Sequence, residues 1–174
     1  MNITVFCSSQ TKPGDSAYEE GMRLGRLLAI AGHTVLTGGY IGSMEAVSRG
    51  ANESGGRVIG ITCAEIEAWR SARANRWVHE ERRYATLRER MFALIEGCDA
   101  ALALPGGIGT LAEVALMWSH LQIGAISPRP LVLIGPGWQE LMKTFWRVHD
   151  AEILEKSRGL LTFANDVEVA VSFL

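Results

Sequence analysis

The chain has 174 residues, of which 48% are hydrophobic and 21% are charged, the balance of an ordinary globular protein. A formal net charge of −2 gives no general attraction to nucleic acid or to an anionic membrane, and no apolar run is long enough to span a bilayer. The length predicts one domain over residues 1–174, and three widely spaced cysteines without a signal-peptide pattern predict a cytoplasmic protein with reduced thiols.

Strand and helix signals alternate along the chain. Short apolar runs that are typical of buried parallel strands occur at residues 3–7, 33–37, 57–61, 100–104, 130–134 and 160–163. Between them, apolar residues at helical spacing predict helices that begin at Ser16 and Asp166 or cover residues 43–52, 85–96, 110–122 and 138–148. This alternation predicts an α/β fold, a doubly wound, Rossmann-like parallel sheet with helices on both faces.

Local chemistry predicts further details in the first half of the chain. Ser16 followed by Glu19 predicts a capping box at the start of the first helix. Gly32 predicts a left-handed cap at the end of that helix. Residues 63–83 carry no regular pattern, so we expect an irregular segment there, for which a lid and a dimer arm are the two candidate roles.

Two glycine-rich turns, at residues 38–42 and 105–109, each follow a predicted strand and precede a predicted helix. Backbone N–H groups approach a ligand closely at such turns because glycine has no side chain. The positive end of the following helix favours a phosphate. Since ligands of doubly wound sheets bind beyond the carboxyl ends of the strands, the two turns together predict a site for one ligand of nucleotide size.

Several common phosphate and cofactor motifs are absent. Thr37 stands where the dinucleotide fingerprint GxGxxG has its first glycine, and no P-loop sequence GxxxxGK[ST] occurs. None of the three lysines lies in a glycine-rich turn, where pyridoxal phosphate would form its Schiff base. The four histidines have no metal-ligand spacing. The sequence therefore predicts no cofactor and no metal site.

A cluster of seven arginines lies in one short stretch of the chain. They are Arg70, Arg73, Arg76, Arg82, Arg83, Arg88 and Arg90. Acidic residues between them favour a solvated surface for the first five. Arg88 and Arg90 begin the helix that leads to the second glycine-rich turn, and a guanidinium there suits phosphate or carboxylate oxygens. The spacing of Arg88 and Arg90 does not show which of the two faces this turn.

Residues 105–113, PGGIGTLAE, resemble the PGGxGTxxE motif of the LONELY GUY family, the cytokinin riboside 5′-monophosphate phosphoribohydrolases. Many members of this family were long labelled lysine decarboxylases. Residues 5–9, 38–44 and 55–61 resemble the family's first strand and serine turn, its GGGxxGLMG segment and its third strand. Arg90 falls on the arginine of the family's MxxRK segment, but Met91 replaces the lysine, and Tyr40 replaces a glycine of the first turn. These replacements favour a second hypothesis, a non-catalytic protein that binds a nucleotide or carries the molybdenum cofactor.

The resemblance implies that a nucleoside 5′-monophosphate, AMP or an N6-modified AMP, is hydrolysed at its N-glycosidic bond to free base and ribose 5-phosphate. Glu113 would stabilise the positive charge on the ribose, and Arg90 would hold Glu113 and stabilise the departing base. The other implied binding residues are Ser8, Gly39, Gly42, Ser43, Met44, Pro105, Gly106, Gly107, Ile108, Gly109 and Thr110. The resemblance also implies a homodimer with the helices of residues 85–96 and 110–122 near its interface.

A structural alternative stays open for each implied catalytic residue. Thr110 and Glu113 have the spacing of a capping box, in which Glu113 would only accept the N–H of Thr110. Arg90 could pair with Glu89 or Glu96 on a helix surface.

Overall fold

Six short segments that are largely apolar and one charged segment form a sheet of seven parallel strands in a computed structural model that describes residues 1–174. The strands are β1 (Asn2–Phe6), β2 (Thr34–Thr37), β3 (Val58–Cys63), β4 (Glu80–Tyr84), β5 (Ala100–Ala103), β6 (Leu131–Ile134) and β7 (Thr162–Ala164). Their order across the sheet is β4-β3-β2-β1-β5-β6-β7, and every neighbouring pair is parallel. The chain builds outward from β1 on one side and returns to build outward from β5 on the other, which confirms the doubly wound fold.

Eight α-helices connect or flank these strands. They are α1 (Ser16–Ile30), α2 (Ser43–Glu53), α3 (Ala64–Arg70), α4 (Leu87–Glu96), α5 (Ile108–Ile123), α6 (Pro136–Val148), α7 (Glu155–Arg158) and α8 (Val167–Val171). Not one of them combines the length and the apolar character that a membrane crossing requires.

A separate apolar core lies on each face of the sheet. Leu24 of α1 and Val47 of α2 belong to the core of one face, and Leu94 of α4 and Met117 of α5 belong to the core of the other. Neighbouring strand residues point into opposite cores, so the strands are apolar almost throughout. This explains why runs of apolar residues located six of the seven strands in the sequence, all except β4.

The expectation that residues 63–83 are irregular throughout is wrong, and irregular backbone is confined to residues 71–79. Helix α3 and strand β4 occupy most of this segment. The sequence of β4 is Glu-Glu-Arg-Arg-Tyr. Charged residues are tolerated there since β4 is the edge of the sheet and its side chains are half-buried or exposed. Glu80 of this strand pairs with Arg57, at 2.5 Å. A charged edge strand has no apolar pattern and also discourages pairing with another sheet.

The helix caps differ in part from the expectation. The capping box predicted from Ser16 and Glu19 does not form, because Asp15 is the N-cap residue of α1 and its carboxylate accepts the backbone N–H of Lys12 at 2.7 Å. The left-handed conformation predicted at Gly32 is confirmed, with a φ of 78°.

Candidate functional site

A cavity of about 590 Å³ opens at the carboxyl ends of β1 and β5, where the strand order reverses. Four segments supply most of its wall: residues 7–10 after β1, residues 66–70 of α3, residues 87–91 of α4 and residues 107–113 of α5. Each of these segments comes after a strand: β1, β3, β4 and β5, respectively. Because the strands are parallel, all four segments lie at the same edge of the sheet although they are distant in the chain.

The first turn of α5 forms a cradle of open backbone donors. The helix begins at Ile108, with Gly107 as an N-cap residue that has no side chain to accept the first N–H groups. Leu111 makes the first intrahelical bond, from its N–H to the carbonyl of Gly107, at 3.0 Å. A Cβ atom placed on Gly107 or Gly109 would have no neighbour within 4 Å. The cradle therefore combines unpaired donors with empty space, which is what a phosphate needs.

Glu113 does not cap this helix. Because α5 begins at Ile108, Thr110 lies inside the first turn and Glu113 lies in the second, so the capping box of Thr110 and Glu113 is not formed. Glu113 is 8% exposed. Its Oε1 accepts a bond from Nη1 of Arg90 at 3.3 Å.

Arg90 is held by partners from three segments of the chain and is only 5% exposed. Its Nε donates to the carbonyl of Ile61 at 2.8 Å, and its Nη1 donates to Glu113. The guanidinium carbon lies 5.7 Å from the ring centre of Tyr40. A Cβ atom on Gly38 would lie 2.0 Å from Nη2 of Arg90, so the guanidinium occupies space that only a glycine leaves free.

The surface pairing considered for Arg90 is therefore wrong. Glu89 instead completes a capping box with Thr86 at the start of α4. The neighbouring Arg88 is exposed, and its guanidinium carbon lies 5.9 Å from the ring centre of Phe92. The structure thus places Arg90, and not Arg88, beside the second glycine-rich turn.

The environment of Glu113 changes its proton affinity. Burial raises the pKa of the Glu113 carboxyl from 4.5 to about 6, and the charge of Arg90 opposes this effect. The nearby Cys7 thiol has its pKa raised above its usual range, first by burial and then by the charge of Glu113. At neutral pH the cavity therefore contains a carboxylate paired with a guanidinium, and a thiol that keeps its proton.

The first glycine-rich turn braces the cavity more than it lines it. Gly42 has a φ of 77°, and a Cβ atom there would lie 2.6 Å from the carbonyl carbon of Ser9. The N–H of Ser43 donates to the carbonyl of Ser8 at 2.9 Å, which joins the start of α2 to the loop after β1. Gly39 packs against the backbone of Gly60 in β3.

Some of the residues predicted from the sequence line the cavity and others do not. Those in the wall are Ser8, Met44, Arg90, Gly107, Ile108, Gly109, Thr110 and Glu113. Gly39, Gly42 and Ser43 are buried behind the wall. Pro105 and Gly106 lie on a smaller neighbouring groove of about 270 Å³, together with Gly107 and Ile108.

The sequence interpretation missed Trp69 and Arg70, which lie at the end of α3. We expected Arg70 on a solvated surface, but the structure half-buries it in the cavity wall, with its guanidinium carbon 5.0 Å from the ring centre of Tyr40. The signal that could have located it is its place just after β3, because every parallel strand ends at the same edge of the sheet. The expectation of a solvated surface is confirmed for Arg73, Arg76, Arg82 and Arg83.

Comparison with known proteins shows similarity over most of the chain. Residues 44–174 match the model of a family described as possible lysine decarboxylase. A probable cytokinin riboside 5′-monophosphate phosphoribohydrolase from Oryza sativa subsp. japonica is 30% identical over 94% of this chain and 73% of its own length. A cytokinin riboside 5′-monophosphate phosphoribohydrolase from Rhodococcoides fascians is 31% identical over 76% of this chain and 67% of its own.

Solved structures with the same fold include proteins of a different named role. The molybdenum cofactor carrier protein from Chlamydomonas reinhardtii is 25% identical, with a TM-score of 0.73 over 99% of this chain and 94% of its own. The molybdenum cofactor binding protein from Rippkaea orientalis shares the fold, with 24% identity and a TM-score of 0.76 over 99% of this chain and 93% of its own.

Proposed function

The chain belongs to the LONELY GUY family, whose model is described as possible lysine decarboxylase, and we propose that it hydrolyses the N-glycosidic bond of a nucleoside 5′-monophosphate. The products are a free base and ribose 5-phosphate. The observation that carries this proposal is the ion pair of Arg90 and Glu113, which lies in the wall of the same cavity as the open N–H groups of α5.

The cradle at residues 107–110 binds the 5′-phosphate in this proposal. The open N–H groups and the positive end of α5 attract the phosphate oxygens, and the missing side chains of Gly107 and Gly109 let them approach. Binding there places the ribose next to the second turn of α5, which carries Glu113.

The ion pair acts on the bond that breaks. As the base departs, positive charge develops on the ribose, and the Glu113 carboxylate stabilises this charge and accepts a proton from the attacking water. Arg90 fixes the carboxylate, and its remaining donors stabilise the negative charge that the departing base acquires. Water supplies the new hydroxyl group of the ribose and the proton that the base takes up.

The alternative is a protein that binds a nucleotide or a phosphorylated cofactor without cleaving it. Its support is the similarity to the molybdenum cofactor carrier protein, together with Met91 in the cavity wall where the resembled family has a lysine. The buried pair of Arg90 and Glu113 favours the catalytic proposal, because binding a phosphate does not require a buried carboxylate.

Turnover of a panel of nucleoside monophosphates, followed by the release of ribose 5-phosphate, tests the proposal. AMP and an N6-modified AMP head the panel because the family resemblance implies them. We expect Glu113→Gln to lower kcat by about 100-fold or more, since the carboxylate acts on the charge of the transition state. Glu96→Gln, an equal change at an exposed position of α4, is the control and keeps full activity.

Two outcomes would contradict parts of this proposal. If AMP binds and no member of the panel is hydrolysed, the enzyme proposal fails and the binding alternative stands. If Glu113→Gln hydrolyses its substrate at the wild-type rate, the role given to Glu113 is wrong although the reaction is right.

A further inference from the structure

Arg70 presents hydrogen-bond donors to the cavity that no protein group accepts. Its side chain is half-buried at the end of α3, it makes no hydrogen bond or ion pair with the chain, and its Nε is fully buried without a partner. Buried donors are almost always satisfied in folded proteins, because an unpaired one costs free energy. The Nη1 and Nη2 groups of Arg70 are also without a protein acceptor but are not fully buried, and because Arg70 lines the cavity a ligand acceptor there would satisfy them.

Trp69 offers an uncovered aromatic surface beside these donors. Its side chain lines the cavity and yet is 80% exposed, so packing within the chain does not account for its position. The guanidinium carbon of Arg70 lies 5.9 Å from the ring centre of Trp69. An aromatic plane next to free donors fits a planar heterocycle, which stacks on the indole and turns its edge to the guanidinium.

The position of this pair in the cavity follows from a chain of contacts. The cradle at residues 107–110 leads to Glu113, which pairs with Arg90. Arg90 and Arg70 both lie against the ring of Tyr40, at 5.7 Å and 5.0 Å from its centre. Trp69 and Arg70 line the same cavity as the cradle and Glu113, so with the phosphate in the cradle and the ribose at Glu113 they form the part of the wall that is left for the base.

We propose that Trp69 and Arg70 recognise the base of the nucleotide, and that Arg70 selects a 6-oxopurine over adenine. This inference rests on the proposed function. An arginine has five N–H donors and no acceptor. Hypoxanthine and guanine present two neighbouring acceptors, O6 and N7, whereas adenine presents N7 beside the N6 amino group, which is a donor. On this edge of the base, adenine would therefore place its N6 donor against a donor of Arg70. The preferred base differs from the N6-modified adenine that the family resemblance implies.

The test compares IMP with AMP, since these two nucleotides differ at position 6 of the base. We expect the wild-type protein to have a kcat/KM for IMP at least about 10-fold above that for AMP, the discrimination typical of a bidentate arginine contact. Arg70→Met removes the donors and should abolish this preference, mainly by lowering kcat/KM for IMP. Arg73→Met, an equal change at an exposed arginine, should preserve the preference.

Each of two results would overturn the inference. One is a wild-type protein with equal kcat/KM values for the two nucleotides or with a preference for AMP. The other is an equal loss for both nucleotides in Arg70→Met, which would assign Arg70 to a phosphate or to the ribose. Trp69→Ala should weaken the binding of both nucleotides to the same extent, since stacking does not depend on the base edge. Trp69→Phe, which keeps an aromatic ring, should restore binding.

A failure of the proposed function is distinguishable from a failure of this inference. If neither nucleotide is hydrolysed, calorimetric dissociation constants for IMP and AMP replace kcat/KM in the same comparison. Tighter binding of IMP that Arg70→Met abolishes supports recognition of the base in a protein that does not cleave it. Equal dissociation constants in the wild-type protein overturn the inference.

Discussion

Arg90 and Glu113 illustrate how burial gives two ordinary charged residues special properties. Both side chains are almost fully removed from water, so each depends on the other for the compensation of its charge. Replacing one alone leaves an uncompensated charge in the interior. For this reason a loss of activity after such a replacement has meaning only beside a measurement of stability.

Glu113 should make the stability of the protein depend on pH in an unusual direction. Burial raises its pKa from 4.5 to about 6, so the folded state holds the proton more tightly than the unfolded state does. The contribution to stability is complete below pH 4.5 and is lost as the pH rises through 6. We expect the difference in unfolding free energy, wild type minus Glu113→Gln, to fall by about 2 kcal/mol over this interval.

Urea denaturation of both proteins across this pH range measures that difference. Subtracting the variant cancels the titration of all groups that the two proteins share. A difference that stays constant, or that grows as the pH rises, would mean that Arg90 outweighs burial in setting the pKa of Glu113.

The open space at Gly109 predicts a variant that gains stability and loses binding. Gly109 is the second residue of α5 and lines the cavity, and an added methyl group would have no protein atom within 4 Å, so it would occupy space that the ligand needs. Because alanine stabilises a helix relative to glycine, Gly109→Ala should raise the unfolding free energy by about 0.5 kcal/mol. Its unfolding temperature should rise accordingly. Its affinity for a nucleoside monophosphate should fall about 10-fold.

Gly137 provides a matched control for this prediction. It is the second residue of α6, it lines the smaller neighbouring groove and not the cavity itself, and a methyl group there also meets no protein atom within 4 Å. Gly137→Ala should gain similar stability and keep its affinity. Equal affinities of the two variants would contradict the location of the phosphate at the first turn of α5.

At the scale of elements, short contacts between segments shape the cavity. The turn after β2 carries Tyr40, whose hydroxyl accepts the N–H of Cys63 at 2.8 Å and donates to its carbonyl at 3.1 Å. This residue ties the end of β2 to the end of β3, and its ring lies against Arg70 and Arg90. A residue that departs from the family's glycine thus has a structural role in this chain.

Tyr40→Phe separates the structural bridge from the aromatic ring. The variant leaves the two backbone groups of Cys63 without the hydroxyl, at a cost of about 1–3 kcal/mol in unfolding free energy. The ring that lies against the two guanidinium groups remains, so activity per folded molecule should be kept. Thermal unfolding and activity of Tyr40→Phe together check both parts.

Tyr84→Phe is the control at the neighbouring edge strand. Its side chain is half-buried and its hydroxyl bonds no protein group, so the loss of the hydroxyl should change stability by less than about 0.5 kcal/mol. A Tyr40→Phe variant as stable as this control would contradict the bridge as a source of stability.

At the scale of the whole molecule, the return of the chain across the sheet creates the site. Helix α4 connects the edge strand β4 to β5, which lies beside β1 in the middle of the sheet. This crossover brings Arg90 of α4 next to Glu113 of α5. Strands from β1 to β7 belong to one sheet with a core on each face, which supports our proposal that residues 1–174 form one domain.

We expect the protein to be a homodimer with the helices of residues 85–96 and 110–122 near its interface. Ile123, at the end of α5, is 73% exposed, and Leu111 on the same helix is 41% exposed. Light scattering should give a mass twice that of the 19.0 kDa chain, and Ile123→Asp should shift it toward the monomer.

Ile30→Asp is the matched control, because Ile30 is 71% exposed but belongs to α1 on the opposite side of the sheet. It should leave the mass unchanged. A wild-type protein with the mass of a single chain would contradict the predicted dimer.

The sequence by itself determined the fold class and the location of the glycine-rich turn at the start of α5. Strands buried on both faces must be apolar almost throughout, so Ala100–Ala103 and Leu131–Ile134 could be recognised without a structure. The three glycines of residues 105–109 could be recognised because a turn that exposes its backbone leaves a local pattern.

Only the tertiary structure decided which charged residues share a site. Arg70, Arg88 and Arg90 have the same charge and lie in the same stretch, but the structure buries Arg90 against Glu113, half-buries Arg70 against Tyr40 and exposes Arg88. Local sequence could not separate them, because the burial of a guanidinium depends on groups 20 or more residues away that the parallel sheet brings to one edge. For the same reason the sequence did not predict the edge strand β4. Its pairing with β3 depends on its place in the sheet and not on a pattern in its own polar residues.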